Sequence, residues 1–486
     1  MQEFDLLVIG GGINGAGVAR DAAGRGLSVL LAEKADLASA TSSWSSKLIH
    51  GGLRYLEHYE FRLVAESLAE REVLLRIAGH LVWPARFIMP HVPELRPRWM
   101  IRTGLFLYDH LRRRATLPGS HAVRLDELPY SSGLKPGLRH GFIYSDCRVD
   151  DARLVVANVL DARARGAQIR TRNACAQARR EAGRWRVQLA DGSEAMARAV
   201  VNAAGPWVKG VLNERLAQPS DENVLLVKGS HIVLPRLYEG AHAFILQNDD
   251  RRVVFMIPFE AGTTLVGTTD VPFEGEPASA TASDAEVAYL CRAVNRYLAN
   301  EVKPADVLWR YAGVRPLYDD GKSDPSAVTR DYTLRVDDAA GAAPVLSVFG
   351  GKITTYRRLA EQVLERLQPY FPGMRAAWTD TAPLPGSDFG GAAPEQAFAQ
   401  LRTRYPRVDE ATLRGVFRRH GALAATVLGD GDLGEHYGAG LYEREVRYFV
   451  EREWAVSAED VLWRRSKAGL QMSAAQRERV AERLGR

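Results

Sequence analysis

Apolar and polar positions recur with different periods along the chain, and the first stretch is the most informative. Phe4-Asp5-Leu6-Leu7-Val8-Ile9 is a short, almost unbroken apolar run, the pattern of a parallel strand buried on both faces. Gly10-Gly11-Gly12-Ile13-Asn14-Gly15 follows at once, and the small residues of 16–25 read as a helix closed by Gly24 and Gly26. A second apolar run, Leu27 to Ala32, ends at Glu33. The runs 199–207 and 344–349 predict further buried strands, each ending in a glycine turn. Gly350-Gly351 then leads through Lys352-Ile353-Thr354-Thr355-Tyr356 into a predicted helix reaching Leu367. The stretches 231–234, 253–257 and 263–267 predict strands of a second, largely antiparallel sheet. Residues 383–391 are rich in Pro and Gly and predict a linker. Beyond them 394–486 reads as helical, most clearly over 443–453 and 474–484.

The opening pattern carries chemistry. Gly10, Gly12 and Gly15 fill the three glycine positions of G-x-G-x-x-G. The first permits a tight turn, the second admits backbone close to a pyrophosphate, and the third lets helix pack on strand. The helix N-terminus offers free amides and a positive dipole end to phosphates. Glu33 lies 18 residues past Gly15. An acid there accepts hydrogen bonds from a ribose and repels a 2′-phosphate, which argues against NADP. Strand, glycines, helix, second strand and terminal acid in that order predict a Rossmann-like dinucleotide site.

Size and charge narrow the class. With 486 residues, 46% of them hydrophobic, the chain is too long for one core and suits two or three domains. A net charge of +5 mildly favours anionic partners such as phosphate esters and acidic lipid. Nucleic acid is excluded as a partner, because no long Lys/Arg tract or zinc-finger spacing occurs. The three cysteines, Cys147, Cys175 and Cys291, are scattered and fit neither a metal site nor a secreted disulfide framework. A strand starting at Phe4 leaves no room for a signal peptide, and no run reaches the ~18–20 apolar residues of a spanning helix. The expectation is a cytoplasmic protein, or one held on the inner face of the cytoplasmic membrane without crossing it.

The glycine motif does not distinguish FAD from NAD. Later segments favour FAD. Thr41-Ser42-Ser43-Trp44-Ser45-Ser46-Lys47-Leu48-Ile49-His50-Gly51-Gly52 can donate many hydrogen bonds along an extended pyrophosphate and flavin. The unit around Gly350 and Gly351 can aim amides at a flavin ring, and the small residues Ala203 and Gly205 let backbone lie close to a cofactor.

With these motifs in view, the chain resembles the aerobic, FAD-dependent glycerol-3-phosphate dehydrogenases. These belong to the glutathione-reductase-like flavoproteins, on the branch that includes D-amino-acid oxidase. The likeness rests on 8–15, on 42–56 with its Ser-Lys-Leu-Ile-His-Gly-Gly-Leu-Arg-Tyr core, and on Lys228-Gly229-Ser230-His231. It continues in Gly313-Val314-Arg315-Pro316-Leu317, 349–357 and 458–467, and so spans nearly the whole chain. The expected fold class is α/β: a Rossmann-like FAD-binding domain, an inserted mixed, largely antiparallel β substrate domain, and a C-terminal α-helical domain. By motif position, 1–75, 145–215 and 310–375 would share the FAD-binding sheet. Residues 76–144 and 216–309 would bind substrate, and 388–486 would form a helical cap.

The resemblance implies oxidation of sn-glycerol 3-phosphate to dihydroxyacetone phosphate by hydride transfer from C2 to FAD. The substrate is nearly doubly charged at neutral pH, since its second pKa is about 6, so its site demands cations and preferably arginine forks. Arg54 and Arg315, with Lys352 beside them, are the candidates. Arg310 and Arg357 read more readily as structural. Tyr55, Thr354 and Thr355 can add hydroxyl contacts to substrate or flavin. The C2 hydroxyl proton needs a base, and either His231 or His50 suits. His231 is the preferred base and His50 sits near the cofactor, while Arg315 could instead assist proton removal or hold the oxyanion. The cofactor residues expected are Gly10, Gly12, Ile13, Asn14, Gly15, Glu33, Thr41, Ser42, Ser43, Ser45, Ser46, Lys47, Leu48, His50, Gly51, Gly52, Ala203, Gly205, Gly350, Gly351, Lys352 and Thr354. No metal role is called for.

The resembled family passes electrons to a membrane quinone, which implies contact with an anionic lipid surface. Residues 96–114 mix aromatic and aliphatic side chains with six arginines and one aspartate, the composition of an interfacial helix. A homodimer is compatible with the sequence. An oxidase delivering electrons to oxygen and forming hydrogen peroxide would use the same motifs and is the alternative reading.

Overall fold

A computed structural model describes residues 1–92, 94–112, 116–250, 252–319 and 331–485. The first apolar runs form the centre of an eight-stranded sheet. Its parallel core runs Val345–Phe349, Glu194–Asn202, Gln2–Ile9, Val29–Ala32, Gln168–Arg170. Thr333–Asp337 closes one edge antiparallel, and the hairpin Cys175–Glu181/Arg184–Leu189 pairs onto Glu194–Asn202. Side chains on a strand alternate faces, and here both faces are covered. Leu6 and Val8 pack with Val18, Leu359 and Val363 of the helices Ile13–Gly24 and Tyr356–Leu367. Leu7 and Ile9 pack with Trp185, Val208 and Leu212 on the other side. This double burial is why the strands read as continuous apolar runs.

The second sheet has ten strands and is antiparallel but for one pairing, Ala243–Gln247 with Val82–Pro90. Its long central pair is Val224–Leu234 with Trp309–Tyr318, in register from Val224↔Tyr318 to Val233↔Trp309. That corrects one expectation. The stretch 310–318 is expected in the cofactor sheet, yet it belongs to this one. Leu48–Ile49, likewise assigned to the cofactor sheet, pairs with His140–Val149 here. In both cases a glycine-bearing motif expected to serve the cofactor has its strand hydrogen bonds in the other sheet. Motif position therefore did not reveal strand partnership.

The C-terminal region is helical: Pro394–Arg404, Glu410–His420, Ala424–Leu428, Glu443–Glu453 and Ala474–Arg483, with one short hairpin, His436–Gly438/Leu441–Tyr442. One segment differs from expectation. The stretch 383–391 is not a free linker: Leu384 is buried, its amide bonds the Ile77 carbonyl at 2.7 Å, and Ser387 Oγ meets His80 Nδ1 at 2.7 Å. Gly386 serves a close fit, since a Cβ there would lie 2.3 Å from the His420 carbonyl oxygen. Within 96–114 a helix forms over Arg98–His110, while Arg113 and Arg114 lie outside the described residues.

Candidate functional site

Strand Gln2–Ile9 runs into a turn in which Gly10 takes φ +113°, a conformation that side chains disfavour. A Cβ on Gly10 would lie 2.6 Å from the Ala203 carbonyl oxygen, and one on Gly15 would lie 1.9 Å from that of Gly10. Turn, neighbouring strand and helix are thus in backbone contact. The helix begins with no side-chain cap from its N-cap residue Gly12, and the Ile13 amide donates to Ser42 Oγ at 2.9 Å. At the end of the second strand, the Glu33 carboxylate accepts from the Gly11 amide at 2.5 Å and the Ala35 amide at 2.8 Å. Burial pushes this carboxyl up, and the two amides pull it back toward the charged form.

From this crest a cavity of about 860 Å³ extends to the second sheet. Most of the expected residues line it. Gly10, Gly12, Ile13, Asn14, Glu33, Thr41 and Ser42 lie at the crest end. Ser45, Ser46, Leu48, His50, Gly52, Arg54 and Tyr55 follow, with Ala203, Gly205, His231 and Arg315. Gly350, Gly351, Lys352 and Thr354 complete the wall. Asn14 ties crest to wall, its Nδ2 donating to the Gly350 carbonyl at 3.3 Å.

Five expected residues stand behind the wall. Gly15 is the helix–strand contact just described. Lys47 is buried, its Nζ held by both Asp151 oxygens at 3.0 and 2.9 Å and by the Ser43 carbonyl at 2.8 Å. A lysine this deep needs its counter-charge, so it acts as a structural staple of the hydroxyl-rich loop, with Ser43 as part of the same staple. The Gly51 amide donates to Tyr108 Oη at 2.8 Å, away from the cavity. Thr355 is fully buried. Arg310 and Arg357 are structural too: Arg310 pairs with Asp284, and Arg357 is buried between Glu70 and Glu361.

At the far end the cations converge. Arg315 donates to Asp270, and its Nη2 meets Thr268 Oγ1 at 3.0 Å. Arg54 Nη1 lies 3.9 Å from the other Asp270 oxygen. Lys352 Nζ sits 4.1 Å from the centre of the Tyr55 ring. His231 stacks on Tyr311 with centroids 4.8 Å apart, and its Nε2 is 2.9 Å from Ser46 Oγ. His50 meets the edge of Phe255 at 6.3 Å. Both histidines are held neutral. Burial, then Lys352 and Arg71, bring His50 down to about 3, and burial, then Arg315 and Lys47, hold His231 well below its usual value. Asp270, Thr268, Phe255 and Trp44 also line the cavity, and sequence reasoning missed them. For Asp270 a signal existed: Thr268-Thr269-Asp270 directly follows a predicted strand of the second sheet.

An elongated cavity with an uncapped helix N-terminus and a buried carboxylate at one end fits the adenosine and pyrophosphate of a dinucleotide. Asn14 Oδ1, buried at the helix start, has no hydrogen-bond partner among the described residues, so acceptor capacity is left over for a hydroxyl or N–H of such a group. Residues 5–357 match the family described as FAD dependent oxidoreductase. The chain belongs to that family. Its cofactor is FAD. The C-terminal part of this FAD-dependent oxidoreductase, 377–485, matches the C-terminal domain of alpha-glycerophosphate oxidase. It is 54% identical to a glycerol-3-phosphate dehydrogenase of Pseudomonas aeruginosa, over 99% of this chain and 95% of the relative. It is 51% identical to a D-erythritol 1-phosphate dehydrogenase of Brucella abortus, over 99% and 97%. Among solved structures, the glycerol-3-phosphate dehydrogenase of Bacillus halodurans complexed with FAD superposes with a TM-score of 0.73 at 26% identity, over 99% of this chain and 94% of that one. The fold expected from sequence, α/β with a largely antiparallel second sheet and a helical C-terminal domain, is the fold observed.

Proposed function

We propose that the protein oxidises sn-glycerol 3-phosphate to dihydroxyacetone phosphate and passes the electrons to a membrane quinone. The observation that carries this reading is that Arg54, Arg315 and Lys352 line the same cavity as the dinucleotide crest, with Arg54 and Arg315 joined through Asp270. Bound FAD supplies the hydride acceptor. In this reading Gly10, Gly12 and the Asn14 amide hold its pyrophosphate with Ile13 and Ser42 beside it, Glu33 holds its ribose, and the Gly350–Thr354 turn holds the ring end. Arg54, Arg315 and Lys352 clamp the ester phosphate, with Tyr55 packed under Lys352. His231 takes the C2 hydroxyl proton as a neutral imidazole, a form that its buried setting favours at neutral pH. His50 stands beside Lys352 near the cofactor.

Lipid contact is supported by the helix Arg98–His110. Ile101, Leu105 and Tyr108 face the core, while Trp99 is 68% and Phe106 59% exposed, with Met100 and Leu107 also in solvent. Arg98 and Arg102 are exposed on the same helix. An apolar surface flanked by two arginines suits an anionic bilayer, and this helix packs with Leu53, Tyr55 and Leu56, of which Leu53 and Tyr55 line the cavity. No helix among the described residues is long and apolar enough to cross a membrane.

The name of the Brucella abortus relative gives a second reading, a four-carbon polyol phosphate as substrate. Anaerobic mixing of the yellow protein with each ester separates the two. Glycerol 3-phosphate is expected to bleach the flavin faster than D-erythritol 1-phosphate does. The reverse order selects the second reading, and a flavin left oxidised by both rejects the polyol-phosphate assignment. Quinone reduction measured against peroxide yield then distinguishes dehydrogenase from oxidase.

A further inference from the structure

Asp270 sits between two guanidinium groups that come from opposite walls. Arg315 belongs to strand Trp309–Tyr318 and is fixed there. Asp270 and Thr268 hold its two terminal nitrogens, and a Cβ on Gly229, on the paired strand, would lie 2.4 Å from Nη2. Arg54 belongs to the turn Leu53–His58 and reaches Asp270 only at 3.9 Å, a charge contact rather than a hydrogen bond. One carboxylate thus bridges the two walls and faces the cavity that all three residues line. Its side chain is 15% exposed, so it has room to move toward solvent.

We propose that Asp270 is the resident counter-anion of the phosphate clamp, occupying the anion position between Arg54 and Arg315 until a dianionic ester displaces it. This rests on the reading of these arginines as the phosphate site. Arg54, Arg315 and Lys352 together with this one carboxylate leave a net charge of +2, which a dianion matches and a monoanion does not. A monoanion offers the pair no more charge than Asp270 already does, whereas a phosphomonoester brings about −1.5 to −2 and three acceptor oxygens. The carboxylate therefore keeps the arginines aligned and filters ligands by charge. Small monoanions are refused and doubly charged esters admitted.

The test uses the FAD-loaded protein with inorganic phosphate and acetate as probes. Binding is read from perturbation of the oxidised flavin spectrum, and separately as competitive inhibition of flavin reduction. In Asp270→Asn, which keeps the shape and one acceptor, phosphate is expected to bind about tenfold tighter, the order for one charge removed from a partly solvated site. Acetate, inert toward the wild type, is expected to register. Asp270→Glu keeps the negative charge and should still refuse acetate, and Asp270→Ser should repeat the Asn result. Unchanged or weaker phosphate binding in flavin-loaded Asn and Ser variants overturns the proposal. A raised KM for substrate without tighter phosphate also overturns it, by placing Asp270 on the substrate hydroxyls. Loss of flavin from both variants makes the residue structural and overturns it as well. The spectral titration needs no turnover, so it stands apart from failure of the substrate assignment, which shows as a wild-type flavin that glycerol 3-phosphate leaves oxidised.

Discussion

Arg465, deep in the C-terminal domain, holds Asp36, three residues past the acid that ends the second strand, through two hydrogen bonds of 2.8 and 2.7 Å. Both side chains are essentially inaccessible to solvent. Arg464 adds a third bond to Asp36 at 2.6 Å. The Asp36 segment in turn touches the glycine turn, with the Ala38 amide donating to the Gly11 carbonyl at 3.1 Å. The helical domain is therefore anchored directly behind the cofactor crest. Removing one partner of a buried ion pair leaves the other charge under-compensated. Arg465→Met is expected to destabilise the protein by about 3 kcal/mol and to lower flavin content. Urea unfolding and the ratio of flavin to protein absorbance check both. Unchanged flavin content would show that the anchor does not support the crest.

His80 predicts part of the acid sensitivity. It is buried against Ser387, and burial, then Arg153 and His420, bring it down to about 3. Its folded pKa lies below the unfolded value of about 6.5. The neutral imidazole therefore contributes stability that is fully present above pH 6.5 and is lost as pH falls. The loss reaches about 1.4 kcal/mol per pH unit in the window from 6.5 down to about 3. His80→Asn should flatten the dependence of unfolding free energy on pH by about one proton in that window. An unaltered slope would mean that His80 is solvated or charged in the native state.

Arg315→Ala should slow flavin reduction by glycerol 3-phosphate about 100-fold, the scale of charge-assisted hydrogen bonds lost from an anion, while FAD remains bound. Equal loss of flavin and of activity would make Arg315 structural.

Replacement of the base costs on the order of 10²–10⁴ in rate. His231→Asn is expected to fall in that range and His50→Asn to fall less. Because His231 is held well below its usual value, the wild-type rate should show no break near pH 6.5. Stopped-flow reduction over pH measures both, and the opposite ranking of the two variants would move the base to His50.

The helix Arg98–His110 predicts binding to anionic vesicles. Trp99→Ala with Phe106→Ala should weaken sedimentation with them by removing apolar anchors, and Arg98→Glu with Arg102→Glu should weaken it through charge. High salt should mimic only the second pair. Partitioning unchanged in both would exclude this helix as the contact.

The sequence by itself determined the cofactor crest, because that site is local. Gly10, Gly12 and Gly15 act through backbone shape and Glu33 through a carboxylate at the strand end, all within one strand–turn–helix–strand unit, so spacing alone specifies them. Local periodicity likewise delimited the helix Glu443–Glu453. Tertiary structure decided what depends on distant partners. Lys47 reads as a cofactor ligand until its partner, Asp151, is seen 104 residues away. Trp309–Tyr318 carries a motif aimed at the cofactor but finds its hydrogen bonds with Val224–Leu234 in the other sheet. Asp270 gains meaning only between Arg54 and Arg315, which lie far from it in the chain and meet across the cavity. Backbone constraints are written in neighbouring residues, whereas charge pairing and strand partnership are settled by which surfaces the folded chain brings together.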